Sequence, residues 1–277
     1  MNYIINNDTI IFNSEFNKEL NTKLISYYKR LIFSDYELNK NLSEHYANNN
    51  FDGSKYRGSK FNKDVSNLPP SLTYLTFGWY FNKDVSNLPP TLTYLTFGYS
   101  FNHDASNLPQ ILTHLTFCSW FNQDISNLPS TLTYLTFGYS FNHDVSNLPQ
   151  SLTHLTFGWL FNKDVSVLPH FLTNLTFGFR FNQDVSNLPP LLTHLTFGND
   201  FNQDISNLPL FLTHLTFGWK INQQYNIPPN IKYLKLNCNN IYIINSLPNS
   251  VAELELDYKF NLEINNLPTS IKKLVIN

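Results

Sequence analysis

Apolar residues recur along this chain in a fixed order that repeats at a longer interval than a helix or a lone strand imposes. From Phe61 the sequence reads FNKDVSNLPPSLTYLTFGWY, then FNKDVSNLPPTLTYLTFGYS, then FNHDASNLPQILTHLTFCSW. Eight such units of 20 residues run without a gap from Phe61 to Lys220. Three looser units follow, with Pro228, Pro248 and Pro268 holding the phase after a one-residue deletion. Within one period the apolar positions are Leu72, Leu75, Phe77, Phe81, Val85 and Leu88. The stretch L-x-x-L-x-F predicts a short strand in which Leu75 and Phe77 point inward and Tyr74, Thr76 and Gly78 point out.

The other half of each unit predicts the return path. Pro89 follows Leu88, and Pro90 follows it. Proline cannot donate to a ladder and disfavours helix, so the returning side is expected to be extended or polyproline-like. Twenty residues leave no room for an α-helix there. One unit cannot offset the entropy of ordering itself, so stability must accrue between stacked neighbours, and the open ends need polar caps. The last units replace the motif by IKYLKLN, VAELELD and IKKLVIN, which add charge beside a kept L-x-L pattern. At the other end RLIFSDYELNKNL (30–42) echoes YLTFGWYFNKDV with one insertion, and SKYRGSK (54–60) ends in phase for Phe61. Residues 1–60 therefore read as a capping region with a helix near Phe16–Lys29, residues 61–220 as the regular array, and 221–277 as degenerate repeats with a C-terminal cap.

These units resemble the FNIP repeat, which belongs to the leucine-rich-repeat superfamily. The signature reads here FNKDV, FNHDV or FNQDI, with Asp where the name has Pro, and NLPPSLTYLTFG resembles the rest of the repeat. The resemblance covers 61–220 strongly and 221–277 weakly. It implies an all-β fold with minor helix at the N-terminus, a leucine-rich-repeat-like β-solenoid. Proteins of this kind resemble those of social amoebae and of giant viruses that infect amoebae, where many carry an F-box upstream that recruits a ubiquitin ligase core. ELNTKLISYYKRLIF (19–33) has neither the Leu-Pro start nor the Trp-bearing end of an F-box.

Stacking turns each position into a column. The first outward strand column reads Tyr74, Tyr94, His114, Tyr134, His154, Asn174, His194, His214. Amphipathic aromatics on a strand face are interface anchors, and they also stabilise a sheet as a ladder of rings. Trp79, Tyr99, Trp120, Tyr139, Trp159, Phe179 and Trp219 edge the strands and either contact a partner or cover the turn beneath. The Thr76-to-Thr216 column lacks the second in-phase Thr row that an ice-binding grid needs, because Thr73 is out of phase. His194 and His214 are adjacent, but no third ligand has a fixed spacing, so no metal site is expected. The Asp column (Asp64 to Asp204) puts like charges one strand apart. Asp followed two residues later by Ser suits an Asx-type turn that satisfies each carboxylate locally. A calcium ladder would need a Gly-rich spacing that is missing. The Asn column (Asn62 to Asn222) is expected to form a buried hydrogen-bond ladder.

Composition narrows the function classes. The formal net charge of -2 gives no bulk attraction to nucleic acid or an anionic membrane. No run of 18 apolar residues occurs, and the start lacks a basic segment followed by an apolar one, so neither a spanning helix nor a secretory signal is expected. Cys118 and Cys238 have no framework or metal spacing, which fits a reducing compartment such as the cytoplasm. No phosphate-cradling loop, G-x-S-x-G, H-E-x-x-H or C-x-x-C is present. Repeated carboxylates share one environment, whereas acid–base chemistry needs two that differ. No catalytic residue, cofactor or metal is expected. The leading expectation is a non-enzymatic protein-interaction module, host-directed if viral, with the surface at Tyr74, Tyr94, His114, Tyr134, His154, His194, His214, Trp79, Tyr99, Trp159 and Trp219. The alternatives are a ligase substrate-recognition subunit with a divergent F-box-like N-terminus and a carbohydrate-binding aromatic edge.

Overall fold

The structure is a computed structural model and describes residues 3–35, 58–221, 225–257 and 267–276. The chain divides into two compact units, Met1–Leu132 with Thr136–Gly138, and Thr133–Leu135 with Tyr139–Asn277. Each is a β-solenoid, built by the same local rules.

The first unit opens with an antiparallel hairpin, β1 (Tyr3–Asn6) and β2 (Thr9–Phe12), turned at Asn7 in the left-handed region. The short helix α1 (Thr22–Ile25) follows, capped by Asn21, whose Oδ1 accepts from Leu24 N–H. Then come β3 (Arg30–Phe33), β4 (Tyr74–Thr76), β5 (Tyr94–Thr96) and β6 (His114–Thr116), and parallel pairing runs from β2 to β6 in sequence order. β3 pairs Leu31 with Leu75, so the echo of the repeat at Arg30 is in register. The rest of that echo, from Tyr36, lies outside the described residues. The helix expected over Phe16–Lys29 shrinks to α1. Phe16 instead packs its ring on Phe12 and Phe61, at 4.4 and 5.9 Å.

The strand β7 (Tyr134–Thr136) straddles the division. The second unit continues with β8 (His154–Thr156), β9 (Asn174–Thr176), β10 (His194–Thr196), β11 (His214–Phe217) and β12 (Tyr233–Leu236). After the helix α2 (Ile241–Asn245) come β13 (Glu253–Leu256) and β14 (Lys273–Ile276), with parallel pairing unbroken from β8 to β14. Sequence reasoning did not foresee α2. Its cap Asn240 is buried, accepts from Tyr242 and Ile243 N–H, and lets the helix replace an extended return path.

Packing follows the periodic positions. Leu72, Leu75, Phe77, Phe81, Val85 and Leu88 are all buried. Phe77 and Phe81 stack at 3.6 Å within a coil, and Phe77 and Phe97 at 5.9 Å between coils. The same arrangement recurs at Phe177, Phe181 and Phe197 in the second unit. The core is thus a double file of offset rings, each pair contributing beyond its buried area.

Two polar ladders hold adjacent coils together. Asn Oδ1 accepts the backbone N–H of the Asn one coil later, from Asn62–Asn82 at 3.0 Å to Asn182–Asn202 at 2.9 Å. This ladder runs along the surface and is not buried as expected, its asparagines being half-buried or exposed; Asn222 lies outside the described residues. The Thr73 column forms the second ladder. Thr93 Oγ1 donates to the Thr73 carbonyl at 3.1 Å, which also accepts Thr93 N–H and Tyr94 N–H. Gly78 does not face out. A Cβ on Gly98 would lie 1.8 Å from the Gly78 carbonyl oxygen, so successive coils approach closely along the glycine column.

Candidate functional site

The outward strand column is assembled by register. Tyr74, Tyr94 and His114 pair in line in the first unit, and His154, Asn174, His194, His214 and Tyr233 in the second. Their rings stack: Tyr74–Tyr94 at 4.2 Å, Tyr134–His154 at 4.2 Å, and His194–His214 at 4.0 Å. The Arg30 guanidinium caps the file over the Tyr74 ring at 4.2 Å. Tyr233 extends the column one coil beyond the expected residues. Burial pushes the Tyr94 phenol up, helped by Tyr74 beside it.

The preceding threonine fixes each histidine. Thr113, Thr153, Thr193 and Thr213 Oγ1 all lie 2.9 Å from the Nδ1 of the next residue. Each of these hydroxyls already donates its proton to a carbonyl one coil back. Each threonine hydroxyl thus bridges a carbonyl of the preceding coil and the imidazole beside it, which holds the ring in place. Burial holds His114 and His194 below the ordinary imidazole range, with His214 and His154 adding to the effect at His194. The column therefore presents a row of imidazoles held in place by their threonines. Face-to-face stacking points the nitrogens of His194 and His214 alongside each other rather than at a common point. Among the described residues no cluster of metal-binding side chains forms.

The aromatic edge is less continuous than the sequence implies. Trp79 stacks on Tyr99 at 4.0 Å, and Trp159 on Tyr139 at 5.6 Å and on Phe179 at 4.2 Å. Trp120 stands one position out of phase, where Ser119 occupies the edge position, and meets Tyr99 edge-on at 6.1 Å. Asn199 breaks the row before Trp219.

At that break the second unit has an open concavity of about 630 Å³, with Trp219 as one wall and Arg180, Asp200 and Lys220 around it. Asp200 pairs with Arg180 at 3.5 Å and with Lys220 at 2.8 Å. Sequence reasoning passed over these residues because it weighed what repeats. Their signal is departure: in three successive units the usual neutral residue at this phase becomes Arg, Asp and Lys.

The Asp column is tied down as expected. Ser186 donates both N–H, at 3.0 Å, and O–H, at 2.7 Å, to Asp184, and the same pair recurs from Asp64–Ser66 to Asp204–Ser206. These hydrogen bonds hold Asp184 and Asp204 below the usual carboxylate range. The carboxylates are locally satisfied and form no calcium cage. Both cysteines are unpaired, and burial pushes each thiol up to about 11. Among the described residues no helix is long and apolar enough to cross a membrane.

The sequence profile of the FNIP Repeat family matches residues 61–100, 84–119, 101–140, 121–160, 141–180, 161–200, 181–220, 224–259 and 239–277. Among solved structures, the chain is similar to CroV588 of the giant virus CroV, described as a novel circular LRR protein. That match has 29% identity and a TM-score of 0.57, and covers 100% of this chain and 60% of that one. An internalin of Listeria monocytogenes, InlF, matches at 18% identity and TM-score 0.62, covering 98% and 82% of the two chains. The functional domain of InlJ from the same organism matches at 18% identity and TM-score 0.58, covering 98% and 63%. At that identity the internalins share the fold alone. The chain spans less than two thirds of the length of CroV588 and InlJ. No curated protein matches the sequence.

Proposed function

Because the chain belongs to the FNIP repeat family, whose coils here stack as leucine-rich repeats do, we propose that it is a protein-interaction module whose partner docks on the strand-face column from Tyr74 to His214. Such solenoids commonly serve as binding scaffolds, and this chain reads as one without catalysis, its residues 1–60 acting as a cap. The observation that carries the reading is the threonine-held column of rings. Four histidines are each held by the hydroxyl of the preceding threonine, beside tyrosines that supply rigid apolar contact at low entropic cost. That surface fits a partner that lays an extended segment with apolar and hydrogen-bonding groups along the rings. The aromatic edge at Trp79, Tyr99 and Trp159 would form the rim.

The ligase-adaptor reading draws support only from family resemblance. The described N-terminal residues form three strands and one four-residue helix, a strand layer paired to β4 rather than a helical bundle. An affinity pull-down from amoebal cytosol with quantitative mass spectrometry separates the readings. The comparison protein carries Tyr94→Ser, His114→Ser, Tyr134→Ser and His154→Ser. The reading predicts a host protein lost from the substituted form only. Ligase-core subunits recovered equally by both forms would instead make the chain an adaptor, and identical lists without them would sink the proposed surface.

A further inference from the structure

The concavity at Arg180, Asp200 and Lys220 is lined by no residue of the strand-face column and does not depend on it. Its position in the array is singular. The last residue of each regular unit runs Tyr80, Ser100, Trp120, Ser140 and Leu160, then Arg180, Asp200 and Lys220, while Lys60, at the same phase ahead of the first unit, pairs with Glu15. Charge thus enters at three consecutive coils. The Asp200 side chain is only 13% exposed, held between two cations that are each more than half exposed. Arg180 is fixed further by the Phe179 ring, 5.8 Å from its guanidinium carbon. The trio carries a net charge of +1, with a rigid acceptor at its centre and two outward donors at its flanks.

The remaining walls add a second kind of chemistry. Asn162 and Asn182 spend Oδ1 on the ladder, accepting the next coil's N–H at 2.9 Å and a glutamine amide at 3.0 and 3.1 Å. Both residues line the concavity one coil apart, and with Oδ1 spent each amide has Nδ2–H to offer. Trp219, 56% exposed, supplies an aromatic wall. An aromatic face beside planar amide donors, one carboxylate acceptor and a guanidinium matches a ring that has C–H faces, several hydroxyls and one carboxylate. A volume of about 630 Å³ suits one or two such rings.

We infer that the Arg180–Asp200–Lys220 concavity is a binding site for an acidic saccharide of the hexuronate class. Trp219 lies under the sugar ring, Asp200 accepts from a hydroxyl, the Asn162 and Asn182 amides donate to hydroxyl oxygens, and Arg180 and Lys220 receive the carboxylate. Alongside Asp200, the carboxylate meets a cation on each side and so adds a charge-assisted hydrogen bond without a new buried charge.

The test titrates D-galacturonate, D-glucose and acetate separately into the full chain and follows the Trp219 indole N–H resonance. Galacturonate is expected to shift it saturably, with glucose and acetate each at least about tenfold weaker, since each lacks one half of the contacts. Arg180→Gln, followed by the same resonance, and Trp219→Ala, followed by the backbone amide resonance of Lys220, are each expected to weaken galacturonate about tenfold or more, while Trp120→Ala, exposed but in the first unit, leaves it unchanged. All three substituted positions are exposed, so the fold is retained and far-ultraviolet circular dichroism confirms it. No shift with galacturonate, equal affinity for acetate, or undiminished binding by Arg180→Gln and Trp219→Ala would each overturn the assignment.

Discussion

Removing one ring from the phenylalanine file tests how the array is held together. Phe101 is fully buried and stacks on Phe97 at 3.7 Å, with Phe81 at 6.3 Å and Phe121 at 6.1 Å on either side. Phe101→Ala deletes the buried ring and leaves a cavity between coils that the backbone ladders on both sides prevent from closing. The expected cost is about 3–5 kcal/mol, against less than about 1.5 kcal/mol for Phe101→Leu, which nearly conserves volume. With a urea m-value of about 3 kcal/mol/M, the alanine variant should lose roughly 1–1.7 M in its midpoint. Trp120→Ala, 57% exposed at the edge, should lose no more than about 0.5 kcal/mol. Because the interactions are nearest-neighbour, amide exchange should quicken around β5 and β6 and hardly change at β13. Equal midpoints for Phe101→Ala and Trp120→Ala, or loss of protection spread evenly to β13, would refute the view that stability is local and carried by the rings.

Three further outcomes are expected. Gly178→Ala puts a Cβ 1.9 Å from the Gly158 carbonyl oxygen and should cost about 1–3 kcal/mol in urea denaturation, while Cys118→Gly, restoring the column, should raise the midpoint; a neutral Gly178→Ala would contradict the close approach. His114 and His194 are depressed in the folded chain from 6.5, so the unfolded chain takes protons first: stability is full above that value and falls as pH drops below it. Melting temperature should decline between about pH 7 and 5, and the double variant His114→Gln, His194→Gln should flatten the decline; an unaltered slope would oppose it. Cys238, buried with its thiol raised to about 11, should react with a disulfide reagent slowly in the native chain near pH 8 and at once in urea, and rapid native reaction would contradict its burial.

The sequence carried the architecture because stacking makes one unit speak for all. Leu72, Leu75, Phe77, Phe81, Val85 and Leu88 were legible as core from spacing alone, and the Asp64–Ser66 turn from the reach of an Asx side chain. What escaped depends on contacts between coils. The Thr73 column looked out of phase because alternation describes one strand, whereas its hydroxyls work sideways along the stack and, at Thr113, Thr153, Thr193 and Thr213, hold the histidine beside them. Gly78 was assigned outward by the same alternation, which is silent on how near the next backbone comes. The helix α2 hangs on one buried cap, Asn240, in a segment where the repeat has decayed. The charged concavity escaped for the opposite reason: periodic reading averages away the positions where successive copies differ, and Arg180, Asp200 and Lys220 are such positions.

The most direct test of the proposed docking face is site-specific photocrosslinking in amoebal cytosol. One protein carries a benzophenone amino acid at Tyr134, 41% exposed on the strand face, and a second carries it at Phe171, 61% exposed on the returning side. A discrete host-protein adduct from position 134, absent at 171 and competed by unlabelled chain, is the predicted result. An adduct from 171 alone, or equal adducts from both, would contradict the claim that the tyrosine and histidine column receives the partner.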